Sequence, residues 1–165
     1  MEIVGRFEKI SIDQWHKDYG DDSDGLSNGY YEDIELPKRS TAGSAGYDFH
    51  APFSAILDPG QDYKFPTGIK CKITDGWLLA AFPRSGMGFK YYARLANTIG
   101  IIDSDYYNNE GNEGHIWVKI RNEGHDQIVI NKGDKIFQGI FLPYGIVDND
   151  EADATREGGF GSTGK

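Results

Sequence analysis

The chain has a single cysteine among its 165 residues, Cys71, so it can form no internal disulfide. That suits a reducing compartment, and the expected location is the cytoplasm. The thiol sits in the alternating stretch Ile69-Lys70-Cys71-Lys72-Ile73, the place of a partly buried strand residue rather than a nucleophile. No apolar run approaches the roughly 18 residues of a membrane span. Met1-Glu2-Ile3-Val4-Gly5-Arg6 has no apolar signal-peptide core. Basic residues are few: 17 Lys and Arg against 26 Asp and Glu give a net charge of −9. A nucleic-acid surface needs a basic field, so DNA and RNA are not expected partners. A small polyanion is still possible, because local arginines, backbone amides and a divalent cation can hold one on an acidic protein. There is no internal repeat and no second composition regime. One domain over residues 1–150, followed by an arm at 151–165, is therefore expected.

Short apolar stretches broken by Gly, Pro, Asn and Asp make up most of the chain. Trp77-Leu78-Leu79-Ala80-Ala81-Phe82 stops at Pro83, and His115 to Arg121 partly alternates. Gln127-Ile128-Val129-Ile130 runs into the turn Asn131-Lys132-Gly133-Asp134, and a further run spans Lys135 to Pro143. β-Branched and aromatic residues fill these runs. No window of about twelve residues carries an i, i+3, i+4, i+7 stripe. The pattern predicts an all-β barrel or jelly roll with at most one short helix, near Gly88–Arg94. Residues 18–33 differ, being polar and acidic. Counting back from Gly25, a calcium loop would start at Gly20 and end at Tyr31, and both are wrong for that role. A solvated, mobile insertion is expected there.

Four segments carry residue types suited to chemistry. Ala45-Gly46-Tyr47-Asp48 sets an acid behind a flexible glycine. Pro83-Arg84-Ser85-Gly86-Met87-Gly88 follows a strand and precedes the helical turn. Arg84 can pair with a phosphate there, and Ser85 and the next amides lie where helix N-termini bind anions. In Asn97-Thr98-Ile99-Gly100-Ile101-Ile102-Asp103-Ser104-Asp105-Tyr106 an apolar approach reaches paired acids. A hairpin burying one carboxylate and exposing the other, with one as general base for water, competes with a plain Asx turn. Gly133-Asp134-Lys135-Ile136-Phe137-Gln138 is a turn feeding a strand, and its Gln points either to a ligand or to solvent.

The C-terminal Arg156-Glu157-Gly158-Gly159-Phe160-Gly161-Ser162-Thr163-Gly164-Lys165 cannot build a core, because glycine loses most entropy on ordering and buries nothing. It is either a frayed end or a ligand clamp. As a clamp, Phe160 stacks on a flat base, Ser162 and Thr163 donate to phosphate oxygens, and glycines such as Gly161 let backbone amides approach an anion. Its G-x-G-x-x-G frame is not a dinucleotide motif, since no helix can follow it. Glu110-Gly111-Asn112-Glu113 matches the E-x-x-E of helical nucleotide pyrophosphatases, but Gly and Asn oppose the helix that pattern needs. Histidines 16, 50, 115 and 125 lack metal-ligand spacing and are expected as surface or packing residues.

In order, the segments Ala45–Ala51, Pro83–Gly88, Gly100–Tyr106, Gly133–Gln138 and Gly158–Gly164 resemble the five motifs of the trimeric dUTP pyrophosphatase (dUTPase) family. The resemblance runs from about Leu36 to the C-terminus. It implies a β-clip or jelly-roll homotrimer with active sites between subunits, converting dUTP and water to dUMP and pyrophosphate with Mg²⁺. Asp103 matches the acid that positions and deprotonates the attacking water. Tyr106 matches the residue packing on deoxyribose, and Asn97 with the backbone of Gly100–Ile102 matches the uracil reader. Arg84, Ser85 and Gly86 match phosphate contacts supplied by a neighbouring subunit. Gln138 matches a contact to the α-phosphate or a metal-bound water. Asp48 matches an acid supporting, through water, a metal held mainly by the triphosphate. Phe160 matches the residue stacking on uracil, while Arg156, Ser162 and Thr163 match the γ-phosphate grip. Closure of the arm excludes water and aligns the substrate.

Two departures stand out. Residues 107–114 intervene before His115, where the common pattern has a short turn, and Arg156 lies one residue nearer Gly158-Gly159-Phe160 than usual. The nearest rival reading, dCTP deaminase of the same fold, needs a pocket Glu where this chain has Asp103. A reading from another class is a binding module. Phage-encoded relatives engage regulatory proteins, and the 18–33 and 107–115 segments are candidate contact surfaces for such a partner.

Overall fold

The structure is a computed structural model that describes residues 2–153. Its strands, in chain order, are β1 (Gly5–Lys9), β2 (Lys38–Arg39), β3 (Tyr47–His50), β4 (Ala55–Leu57), β5 (Asp62–Pro66), β6 (Ile69–Ile73), β7 (Trp77–Pro83), β8 (Ala93–Leu95), β9 (Gly100–Ile102), β10 (Trp117–Asn122), β11 (Ile128–Ile130) and β12 (Lys135–Pro143). The helices are α1 (Ile12–Tyr19), α2 (Ser27–Glu32) and α3 (Ser85–Tyr91). All pairings are antiparallel. The main sheet runs β2-β3-β12-β7-β9, a second runs β5-β10-β8, and β1-β6 and β4-β11 form two-stranded pairs. The all-β expectation holds. Among the described residues these sheets do not join into one closed barrel.

The apolar runs identified in the sequence form the centre. β7 and β12 pair from Phe137↔Pro83 to Pro143↔Trp77, the longest register in the molecule. Pro83 ends β7 because it offers no N–H to continue the ladder. Phe137 also lies opposite Phe49, and their rings stack with centroids 4.3 Å apart. Phe65, Leu79, Leu95, Ile116, Ile120 and Ile136 are buried in the same core. Cys71 is buried on β6, and burial pushes its thiol up to about 12, so it stays protonated and inert at neutral pH.

The expected short helix is present but shifted, and the limit of one short helix is corrected, since three α-helices lie among the described residues. The helix sought near Gly88–Arg94 lies at Ser85–Tyr91, three residues earlier. The stretch from 18 to 33, expected as a solvated loop, is folded against the β-structure with the residues before it. Ser11 caps α1 by accepting from the Gln14 amide, and Trp15 is fully buried, donating its indole N–H to the Ser27 carbonyl at 3.0 Å. Tyr19 stacks on Trp15, and the Tyr31 hydroxyl donates to the Ile10 carbonyl. α1 and α2 are too short for an extended apolar stripe. A few aromatic anchors replace periodicity, so the segment reads as polar in sequence and still docks.

Candidate active site

The 107–114 segment, the first of the two departures, packs against the N-terminal helical segment through Ser11 and Lys17. It is a run of turns, with Asn108 at φ 56° and Glu113 at φ 57°, so Glu110 and Glu113 do not share a helical face. Glu113 instead accepts from the Ser11 amide at 3.0 Å and from the Ser11 hydroxyl, and pairs with Lys70. His115 is fully buried. Its Nε2 accepts the Gly68 amide at 2.8 Å, which makes Nδ1 the protonated nitrogen, donating to Asp18 at 2.6 Å. Burial pushes the His115 pKa below its ordinary value, although Asp18 opposes the shift. The buried neighbourhood also opposes ionisation of Asp18, but hydrogen bonds from His115 and Gln14 win and hold its carboxyl below the usual range.

Tyr106 owes its position to this insertion. It lies in the single turn of 3-10 helix at Ser104–Tyr106, just after β9, and is buried. Its hydroxyl donates to the His115 carbonyl at 2.9 Å and accepts from the Asn112 side-chain amide at 2.8 Å. The ring is therefore a fixed wall. Asp103 caps the same turn and is half-buried, whereas Asp105 is exposed. The expected division into one buried and one exposed carboxylate is thus corrected to half-buried and exposed. A three-residue strand gives Asp103 too little cover to be enclosed.

β9 pairs with β7 as Gly100↔Ala81, Ile101↔Ala80 and Ile102↔Leu79. A side chain at Gly100 would press on Ala81 at 3.2 Å and meet the Asn97 amide at 3.6 Å, so glycine lets the Asn97 side chain lie over the strand. Thr98 takes φ 67° to turn the chain between them. Beside this hairpin is a cavity of about 410 Å³, lined by Asn97, Gly100 and Ile102 on one side and Trp117 and Lys119 of β10 on the other. That size suits a nucleoside.

A second cluster forms on the other side of β7. Gln138 lies between Asp48 and Phe82 in the β3-β12-β7 register. Its side-chain amide donates to the Pro83 carbonyl at 3.2 Å, and its carbonyl oxygen would lie 2.3 Å from any Cβ at Gly46. Glycine at 46 thus leaves room for the Gln138 side chain. Gln138 faces this cluster rather than bulk solvent. Asp48 is buried. It accepts from Ser40 at 2.7 Å and from Lys135 at 2.8 Å through Oδ2, and Oδ1 faces Arg84 at 3.3 Å. Burial opposes its ionisation, but the hydrogen bonds from Lys135 and Ser40 and the Arg84 charge outweigh it, and its pKa lies below the ordinary range. Arg84 sits at the N-cap of α3, with Ser85 and Gly86 exposed in the first turn, where amides lack helical partners.

Ser40 and Lys135 were not singled out by the motifs. Lys135 lies inside one of them, but nothing local signals a bond to a residue on β3. Among the described residues, no three His, Cys, Asp or Glu side chains converge as a metal-ligand group. Mg²⁺ commonly uses substrate phosphates with one or two carboxylates. The set around Asp48 fits an ion carried in on a triphosphate. Arg156, Phe160, Gly161, Ser162 and Thr163 lie outside the described residues.

Known proteins are similar to this chain in family and in fold. The dUTPase family model matches residues 32–164. The deoxyuridine 5'-triphosphate nucleotidohydrolase of Lactococcus lactis subsp. lactis (strain IL1403) is 44% identical over 133 residues, 79% of this chain and 89% of the relative. A crystal structure of dUTPase from Streptococcus mutans aligns with a TM-score of 0.68 at 35% identity, covering 86% of this chain and 98% of that one. The dUTPase of phage phi11 of S. aureus aligns at 0.66 with 17% identity over 92% and 97% of the two chains, a likeness of fold alone. With the family model spanning all five motifs and relatives matched over most of their length, this chain belongs to the dUTPase family.

Proposed function

We infer that this dUTPase hydrolyses dUTP to dUMP and pyrophosphate through a water held and deprotonated by Asp103. The base sits beside Asn97 and the Gly100–Ile102 backbone. A fixed backbone there meets uracil with N–H and C=O groups and mismatches the amino group of cytosine. Tyr106 forms the wall under deoxyribose, where a 2'-hydroxyl would clash. Its two hydrogen bonds, to His115 and from Asn112, support that role, because a wall discriminates only if it cannot move. Arg84, Ser85, Gly86 and Gln138 receive phosphates, and Arg156, Phe160, Gly161, Ser162 and Thr163 close over the substrate. Mg²⁺ on the triphosphate would offset its charge, and Asp48 would support that ion through water.

The observation that carries the reading is the placement of both clusters on β7. Asp103 follows Ile102, which pairs with Leu79, while Arg84 follows Pro83 at the far end of the strand. At a strand rise of ~3.3 Å per residue, Asp103, level with Leu78, and Arg84 lie roughly 20 Å apart along the strand. A single phosphate cannot touch both groups across such a span. This favours a homotrimer in which the Arg84 cluster of one copy meets the Asp103 hairpin of another.

The test of the base is Asp103→Asn. It should lower kcat by about 10²–10⁴ while dUTP still binds. Near-normal turnover would remove Asp103 from the role. Release of ammonia from dCTP, with no pyrophosphate from dUTP, would favour the deaminase reading.

A further inference from the structure

The wall of the nucleoside cavity opposite Asn97 has a composition the motifs do not explain. Trp117 and Lys119 lie two apart on β10 and so share a face, and Lys119 is directly opposite Lys64 of β5. The alternate residues Val118 and Phe65 turn into the core. Like charges facing each other across a ladder are unfavourable. Lys119 is neutralised by Asp62 at 2.9 Å. Lys64 instead lies over the Trp117 ring, 4.0 Å from its centroid, a cation–π contact. Trp117 is half-buried, and part of it lines the cavity with Asn97 and Gly100.

We propose that Trp117 is a base-contacting residue of this enzyme, and that Lys64 is a positioning residue holding its indole against the cavity. The ligand is the uracil ring of dUTP or dUMP. A flat, polarisable indole suits a flat base, and the ammonium on the ring fixes its orientation before substrate arrives. The assignment rests on the reading of Asn97 and Gly100–Ile102 as the uracil reader.

The test uses the full chain titrated with dUMP, followed by tryptophan fluorescence and by calorimetry in parallel. The wild type should change its emission on saturation. Trp117→Phe should bind dUMP with that change lost, because Trp15 and Trp77 remain but lie elsewhere. Trp117→Ala should raise KM for dUTP about tenfold, more than it lowers kcat, and Lys64→Gln should raise KM about threefold. A folding defect would lower the melting temperature without this KM-against-kcat split, and restored affinity in Trp117→Phe excludes it. An unchanged emission in wild type at saturating dUMP, or an unchanged KM in Trp117→Ala, overturns the proposal. Asn97→Ala separates the two readings. If it also leaves dUMP affinity intact, the cavity is not the base site. If it weakens binding while Trp117→Ala does not, only the role of Trp117 falls.

Discussion

Single residues show how the same side-chain type takes different roles. Asp48 and Asp103 are both acids next to apolar strands. Asp48 is buried among Ser40, Lys135 and Arg84 and stays ionised well below neutral pH, whereas Asp103 sits half-buried at the mouth of a hairpin. The motif Ala45-Gly46-Tyr47-Asp48 made the acid legible. Its two cations were not, because they come from β12 and from the N-cap of α3. Tyr92 illustrates a local cost. It caps α3 in the left-handed region at φ 53° and is 68% exposed, so the strained backbone gains little from packing. Tyr92→Gly removes that strain at the expense of some unfolded-chain entropy. The expected outcome is a gain of about 0.5–1 kcal/mol, read as a higher melting temperature, with turnover of dUTP retained.

At the scale of elements, the N-terminal helices and the 107–115 segment depend on each other. Each looks like a polar insertion when read alone. Together they bury His115 and Trp15, and Asp18 and Glu113 become the links between them. The sequence did not disclose this because hydrophobic periodicity reports contacts along an element, not between segments far apart in the chain. A pH dependence follows. The folded pKa of His115 is depressed, so above its ordinary value of 6.5 it is neutral in both states and costs nothing. As pH falls below 6.5 the unfolded chain takes up a proton that the folded chain resists, and stability declines by at most about 1.4 kcal/mol per unit for one proton. Asp18 acts at lower pH. Its folded pKa is also depressed, so its contribution is present above 3.8 and lost as pH falls below that. His50 shares the sign of His115, so the wild-type curve alone does not isolate either. The denaturant midpoint of wild type should drop between pH 7 and 5 more steeply than that of His115→Asn. Parallel curves would refute the link.

At the scale of the whole molecule, the proposal of sites assembled from several copies rests on the separation of Asp103 from Arg84 along β7. Two inactive variants, Asp103→Asn and Arg84→Ala, should complement each other when co-expressed. Random assortment pairs an intact Asp103 with an intact Arg84 from a neighbour in about a quarter of sites. Recovery of that fraction of wild-type activity supports shared sites, and no recovery places both residues in one chain's site. The sequence by itself determined the strand-rich class, the boundaries of β7, β11 and β12 to within a residue, and the order of the five motifs. Those features depend on local patterning and on residue types that specific turns require. Only the tertiary structure decided that residues 18–33 are folded, that His115 is a buried link, that Asp48 carries two cations, and that Trp117 and Lys64 line one cavity with Asn97. Each of these rests on contact between residues distant in the chain, which burial and register create and no local pattern encodes.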